Sequence, residues 1–169
     1  MSALPISSRL RALREGACAP LPLGWLNFRL DQHPIGYLSP AHARLAREAL
    51  PELRGSNQAL DWDSDGRSAT ALGARIQFAA ESLKARGVIK GWRDERYRCE
   101  GSRQVSVERG PALFLLERAA FRFFGLRSRA VHVSTWTTHG QMLVSRRALS
   151  KATDPGALDN LAAGGLGAN

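Results

Sequence analysis

Cysteine is scarce in this chain of 169 residues, which contains only Cys18 and Cys99. Two thiols cannot build a disulfide framework, and their spacing does not fit a zinc site. Long apolar runs are also lacking, since arginines interrupt Met1–Gly16 where a secretory h-region would lie, and no run reaches the length of a membrane span. These absences predict a cytoplasmic protein with reduced thiols and no membrane partner.

Metal-ligand and nucleophile motifs are missing as well. The histidines show neither the i,i+2 nor the i,i+4 pairing of metal ligands; they are His33, His42, His132 and His139. No serine occupies a G-x-S-x-G motif. Cys99 lies between Arg98 and Glu100, which could activate its thiol, but no base is marked for it. The sequence therefore predicts no catalytic residue and no metal ligand.

Positive charge is abundant but dispersed. Lys and Arg number 24 against 15 Asp and Glu, which gives a net charge of +9 and a sequence pI near 10.9. Such an excess suggests a polyanionic partner. The cations form no block of five or more, a distribution that is typical of a solvated surface. Nucleic-acid binding is therefore kept only as a less favoured alternative.

Hydrophobic periodicity predicts short strands and helices in alternation, and hence an α+β fold. Ser68–Arg86 is the clearest helix, with one apolar stripe and Gly87 as its end. Further helices are predicted at Ser7–Glu15, at Ala41–Leu50 after Ser39-Pro40, and at Glu117–Phe124. Strands are predicted at Trp25–Leu30, Ile35–Leu38, Tyr97–Glu100, Val105–Glu108 and Ala112–Leu116. Asn57–Asp65 could hold a brief strand or an irregular loop.

The pattern changes to period two from Ala130 onward. A hairpin is predicted there, with its turn at Thr138–Gly140 and with Arg146 and Arg147 at its exit. Turn-forming residues then dominate the stretch from Lys151 to Asn169. This change predicts two domains, an α+β domain over residues 1–126 and a second domain over residues 127–169.

Short motifs along nearly the whole chain resemble one branch of the Nudix hydrolases. Their order and spacing carry the resemblance; they are Gly36-Tyr37 with Pro40, Gly91–Tyr97, Glu117–Ala120, Phe124-Gly125, Val131–Val133, Arg146-Arg147, Lys151, Pro155-Gly156, Leu158–Asn160 and Ala163–Gly165. In this branch, which is related to thiamine pyrophosphokinase, a domain of unknown function precedes the Nudix domain. The resemblance implies a small N-terminal α+β domain followed by the opening β-hairpin and glycine loop of an incomplete Nudix α/β/α fold.

The resemblance also implies an activity, the metal-dependent hydrolysis of a small-molecule diphosphate linked to another moiety, with a thiamine-diphosphate-like compound as one candidate. Mg²⁺ would be the cofactor, because divalent ions neutralise phosphoryl charge and activate water. The family's box, G-x5-E-x7-R-E-U-x-E-E-x-G-U, would begin at Gly165, so its glutamates would lie beyond Asn169. We therefore expect a truncated protein that lacks the Mg²⁺ ligands and has no turnover.

The substrate-binding residues implied by the resemblance are Arg146, Arg147, Lys151, Gly164 and Gly165. The three cations could meet a diphosphate, and glycine backbone could approach a phosphate closely. The alternatives are charges at the exposed end of a hairpin and an ordinary loop. Asp159 is predicted to be a turn carboxylate rather than a metal ligand.

Two further alternatives concern partners. Trp92 and Tyr97 could form an aromatic wall for a heterocycle, or could pack at a domain junction. The chain as a whole could be a non-catalytic binding module that completes its sheet by strand addition, from another polypeptide or from a second copy in a homo-oligomer.

Overall fold

The computed structural model describes residues 21–101, 111–151 and 154–168. Within these ranges the helices are α1 (Pro40–Ala49), α2 (Ala69–Ala85) and α3 (Arg118–Phe123). The strands are β1 (Leu26–Leu30), β2 (His33–Leu38), β3 (Arg54–Gly55), β4 (Ala59–Trp62), β5 (Arg96–Cys99), β6 (Phe114–Glu117), β7 (Ala130–Val133), β8 (Thr135–Trp136), β9 (Met142–Leu143), β10 (Ser145–Arg146), β11 (Leu158–Asp159) and β12 (Ala162–Gly165). The α+β prediction is confirmed.

The largest sheet has four strands in the order β2-β1-β4-β3. Strands β1 and β2 form a tight hairpin, in which Asp31 and Gln32 have φ values of 47° and 66°. Such left-handed turns match the twist of antiparallel strands. Alternate residues of β1, Leu26, Phe28 and Leu30, are buried, as the period-two pattern predicts. Strand β4 then pairs parallel to β1.

Helix α2 covers the core with the apolar stripe that the sequence predicts. All of the stripe is buried: Leu72, Ile76, Ala79, Ala80 and Leu83. The helix begins after Ser68, whose hydroxyl oxygen accepts a hydrogen bond from the Ala71 N–H at 3.2 Å. Gly87, with φ of 73°, follows its end. Helix α1 begins in the same way, with Ser39 as the N-cap and Pro40 at its first position.

Strands β5 and β6 form a separate antiparallel pair, and Glu117 at the end of β6 caps helix α3. Its buried carboxylate accepts hydrogen bonds from the Arg93 and Ala119 N–H groups at 2.9 and 3.2 Å.

The predicted helix at Ser7–Glu15 and the predicted strand at Val105–Glu108 lie outside the described residues. The remaining helix and strand predictions up to Phe124 are confirmed to within a few residues.

The C-terminal segment consists of three two-stranded ladders, β7–β12, β8–β9 and β10–β11. The predicted hairpin is confirmed only beside its turn, where β8 pairs with β9 around residues 137–140. Its first part, β7, pairs with β12 instead. The predicted glycine loop is wrong at Gly164 and Gly165, which lie in β12 opposite Val131 and Ala130. Neither glycine has a positive φ; that conformation occurs instead at Asp154 and Gly156. Pairing with β7 provides partners for their backbone groups, so an extended strand results. The boundary between the two predicted domains stays a prediction.

Candidate functional site

The β10–β11 ladder holds the two predicted arginines beside the turn that precedes β11. Ser145 pairs with Asp159 and Arg146 with Leu158. The Arg146 guanidinium donates to the Gly156 carbonyl at 2.9 Å. The Arg147 guanidinium donates to the Asp159 carboxylate, with a distance of 2.5 Å between Nη1 and Oδ2. The two cations therefore support this turn as well as presenting positive charge at the surface.

Both carboxylate oxygens of Asp159, in strand β11, accept hydrogen bonds. One carboxylate oxygen accepts from Arg147 and the other accepts the Asn160 N–H at 2.9 Å. The Arg147 hydrogen bond, followed by that from Asn160, holds the pKa of Asp159 below its ordinary value. The predicted turn position of Asp159 is wrong, because Asp159 lies in strand β11 opposite Ser145, and its carboxylate is occupied by Arg147 and the Asn160 N–H.

Lys151 lies on the loop between β10 and β11. Its backbone N–H donates to the Ala148 carbonyl at 3.1 Å, and the residue is exposed. Gly164 and Gly165 lie on a different ladder: Gly164 has no neighbouring atom within 4 Å of the place a Cβ would take, whereas Gly165 packs against Tyr97. The predicted substrate-binding residues thus fall into two groups, the three cations and the two glycines.

Tyr97 forms a junction between β5 and β12. Its ring is buried, lies edge-on to Phe121 with centroids 5.6 Å apart, and leaves no room for a Cβ on Gly165. Burial raises the pKa of Tyr97. The Ala168 N–H donates to the Arg96 carbonyl at 2.8 Å, which continues the contact beyond β12.

The predicted aromatic wall does not form. The Trp92 indole N–H donates to Asp94 at 3.0 Å, and the Lys84 ammonium lies 4.4 Å from the Trp92 ring centroid. Tyr97 meanwhile faces Phe121 and Gly165. Tyr97 instead packs between two parts of the fold, as the alternative interpretation predicts.

Cys99 is not an activated thiol. Its side chain is fully buried in β5, and burial raises its pKa to about 11. The suggestion that Arg98 and Glu100 activate it is therefore wrong, because desolvation opposes formation of the thiolate.

The histidines have structural or surface positions. His42 Nδ1 lies 3.0 Å from the Phe123 carbonyl oxygen and its ring stacks on Phe123, while His33 Nδ1 lies 2.7 Å from the Asp31 carbonyl oxygen. His132 is exposed on β7. Across the described ranges, no group of three or more His, Cys, Asp or Glu side chains could hold a metal ion. The residues present therefore do not fit a Mg²⁺ site.

One feature that the sequence does not reveal is a groove of about 240 Å³ between α2 and β6. Its walls include Gly73, Ala74, Phe114 and Leu115, and Arg96 of β5 lines it too. These residues are distant in sequence and meet only because α2 packs on β6. Arg96 belongs to the motif-bearing stretch Gly91–Tyr97, but nothing in the sequence distinguishes it from the arginines around it.

The three helices are too short or too polar to cross a membrane. None of those in the described residues combines the length and the apolar composition that a bilayer crossing requires.

Comparison with known proteins identifies relatives for most of the chain. Residues 24–128 match a domain of unknown function, DUF4743. Nudix hydrolase 24, chloroplastic, of Arabidopsis thaliana is 31% identical over 153 residues, which cover 84% of this chain and 39% of the relative. Nudix hydrolase 20, chloroplastic, of the same plant is 42% identical over 98 residues, covering 54% of this chain and 25% of the relative.

An uncharacterized protein of Saccharomyces cerevisiae is 34% identical over 125 residues, which cover 71% of this chain and 33% of that protein. The chain thus spans two fifths or less of the length of each of these relatives. It is related to Nudix hydrolases over that span.

Proposed function

This chain belongs to the DUF4743 family, and we propose that it is the substrate-recognising part of a Nudix-type diphosphate hydrolase. The DUF4743 domain would help to select the substrate, and the strands that follow it would begin the hydrolase domain. The proposed substrate is a thiamine-diphosphate-like compound. The proposed location is the cytoplasm.

The extent of the match to Nudix hydrolase 24 is the observation that carries this proposal. Residues 1–128 make up about three-quarters of the chain, whereas the match covers 84% of it. The similarity therefore extends beyond the DUF4743 segment into the strands from β7 onward. This supports reading those strands as the opening of a Nudix domain.

The cations around β10 and β11 support diphosphate recognition. Arg146 and Arg147 are fixed by hydrogen bonds to the Gly156 carbonyl and to Asp159, and Lys151 is exposed on the same connection. Fixed arginines lose little side-chain entropy on binding, and their planar guanidinium groups suit phosphoryl oxygens. Gly164 and Gly165 would contribute only indirectly, since they belong to the β7–β12 ladder.

Hydrolysis itself needs groups that these residues do not supply. Diphosphate cleavage by a divalent metal requires several oxygen ligands, and the described residues provide no such cluster. In this proposal the chain binds and orients the diphosphate, and Mg²⁺-dependent turnover requires the box glutamates, which do not occur in these 169 residues.

Binding of inorganic pyrophosphate tests the cation assignment directly. We expect isothermal titration of the full chain to give weak binding, and Lys151→Gln to lower the affinity about five- to tenfold, because it removes one charge-assisted contact. Lys90→Gln is the matched control, since Lys90 is an exposed lysine outside the β10–β11 connection. Equal affinities for wild type and Lys151→Gln would remove Lys151 from the site, and no binding at all would overturn the recognition role.

A second candidate function, a module that adds a partner strand or a second copy, is favoured by one observation. The C-terminal strands and their connections expose nine large apolar side chains, those of Val131, Val133, Trp136, Met142, Leu143, Val144, Leu149, Leu158 and Leu161. Exposed apolar strands of this kind mark association surfaces. Sedimentation equilibrium distinguishes the candidates: a concentration-dependent dimer that Trp136→Lys abolishes would favour the second, and a monomer at all concentrations would leave the first.

A further inference from the structure

The ion pair between Arg147 and Asp159 places a negative charge among the cations of the β10–β11 connection. Arg147 Nη1 donates to Asp159 Oδ2 at 2.5 Å, and the two side chains are 29% and 27% exposed. Solvent, and therefore a ligand, can reach both groups. The arginine that is proposed to meet a phosphate thus already holds an anion that belongs to the protein.

The Asp159 carboxylate is charged at neutral pH. The Arg147 hydrogen bond, followed by that from the Asn160 N–H, holds the pKa of Asp159 below its ordinary value of 3.8. A phosphoryl oxygen that approached Arg147 would lie within a few ångströms of this full negative charge, and like charges repel each other at such a range. A diphosphate must therefore either bind against this repulsion or displace the carboxylate from the arginine.

Backbone hydrogen bonds hold the two residues independently of their ion pair. The Arg147 N–H donates to the Ala157 carbonyl at 2.9 Å, and the Arg147 carbonyl accepts the Gly156 N–H at 3.1 Å. Asp159 pairs with Ser145 in the β10–β11 ladder. The carboxylate can therefore leave the guanidinium while the strands stay paired, so displacement by a ligand does not require the site to unfold.

We propose that Asp159 is an internal competitor for the diphosphate, a role that rests on the proposed recognition of the ligand by Arg146, Arg147 and Lys151. The carboxylate occupies Arg147 while no ligand is bound, and a ligand of higher negative charge replaces it. The competition lowers the affinity of the site and restricts access to Arg147 to ligands that carry more charge than one carboxylate. A diphosphate meets this requirement.

Isothermal titration of the full chain with inorganic pyrophosphate near neutral pH tests the competition. Asp159→Asn keeps the side-chain shape and an acceptor for the Asn160 N–H but removes the charge, so we expect it to raise the affinity about five- to tenfold. Asp154→Asn is the matched control, because it removes the same charge from an exposed residue of this connection, at a φ of 44° that asparagine tolerates. It should change the affinity less than about twofold at about 0.15 M salt, which screens charges that are not in contact.

A double-mutant cycle tests whether Arg147 is the group that becomes available. In an Arg147→Gln background, Asp159→Asn should raise the affinity less than about twofold, because no guanidinium remains to be released. A gain that is equally large in this background would show that Asp159 acts on the ligand from a distance rather than by occupying Arg147, and it would overturn the proposal.

The wild-type chain provides a readout that needs no substitution. The Asn160 N–H donates to Asp159 Oδ1 at 2.9 Å, so movement of the carboxylate should shift the Asn160 amide signal in a ¹H–¹⁵N titration with pyrophosphate, while the amides of α1 stay in place. An Asn160 signal that does not move at saturation would contradict displacement. The same spectra verify that the β10–β11 ladder is retained in Asp159→Asn.

The competitor and the proposed function fail on different results. Unchanged or weaker pyrophosphate binding by Asp159→Asn would overturn the competitor, because Asp159 would then have no part in binding or would position Arg147 for the ligand. If the wild type still binds pyrophosphate and Lys151→Gln weakens that binding, the proposed function stands without it. Absence of binding by both the wild type and Asp159→Asn would contradict both proposals.

Discussion

At the scale of single residues, Cys99 shows how burial overrides sequence neighbours. Its pKa of about 11 leaves roughly one thiol in a thousand ionised at pH 8. In a Cys18→Ser background we therefore expect iodoacetamide to modify Cys99 only after unfolding in guanidinium, as followed by mass spectrometry. Rapid alkylation of the folded protein would show that the strand β5 environment is open to solvent.

The pKa of Asp159 makes a prediction about acid. Because Arg147 lowers this pKa in the folded state, the carboxylate stabilises the β10–β11 ladder above the ordinary Asp value of 3.8, and the contribution is lost as the pH falls through the lowered pKa. The protection factors of the Arg147 and Asn160 amides, which compare observed with intrinsic exchange rates, should therefore fall below about pH 4. Asp159→Asn should show lower protection factors already at pH 6 and a flatter dependence of these factors on pH. Identical profiles in the two proteins would contradict the ion-pair assignment.

At the scale of secondary-structure elements, the turn after α3 is fixed against β2. Gly125 has φ of 60°, and a Cβ there would collide with the Tyr37 carbonyl; the Gly125 carbonyl in turn accepts the Tyr37 N–H at 3.1 Å. We expect Gly125→Ala to lower the free energy of unfolding by about 2–4 kcal/mol. Gly66→Ala, at φ of 72° with open space around it, should cost only about 1 kcal/mol. Equal losses in urea unfolding would show that φ alone matters at Gly125.

Elements whose signals are local were predictable from the sequence. Helix α2 combines a serine cap, an apolar stripe and a terminal glycine within twenty residues, and the β1–β2 hairpin closes through two adjacent turn residues. The Gly164-Gly165 segment was predicted wrongly because its conformation depends on β7, which lies about thirty residues earlier. Glycine residues indicate that the backbone can adopt many conformations. Which conformation Gly164 and Gly165 adopt depends on pairing with a strand that is distant in sequence.

At the scale of the whole molecule, the contact between Tyr97 and Gly165 joins the DUF4743 domain to the C-terminal ladders. We expect Gly165→Ala to cost about 1–3 kcal/mol, because the buried Tyr97 ring has little room to move. Gly164→Ala, which meets nothing within 4 Å, should be nearly neutral. Thermal unfolding of both variants measures the difference, and equal midpoints would mean that β12 does not dock on Tyr97.

Long-range features of the site were beyond the sequence for the same reason. The motifs around Arg146, Arg147 and Lys151 are continuous in the sequence and can be recognised from it. The Arg147–Asp159 ion pair and the groove at Arg96 depend instead on which strands and helices pack together. Substrate choice is a property of such assembled surfaces rather than of single motifs.

The measurement that tests the central proposal most directly is a hydrolysis assay on thiamine diphosphate with Mg²⁺. It compares residues 1–169 alone with a chimera that joins them to the remaining part of Nudix hydrolase 24. We expect no turnover from the chain alone, Mg²⁺-dependent release of phosphate from the chimera, and a raised KM with Lys151→Gln but not with Lys90→Gln. Turnover by residues 1–169 alone, or an inactive but folded chimera where intact Nudix hydrolase 24 cleaves the same substrate, would contradict the proposal.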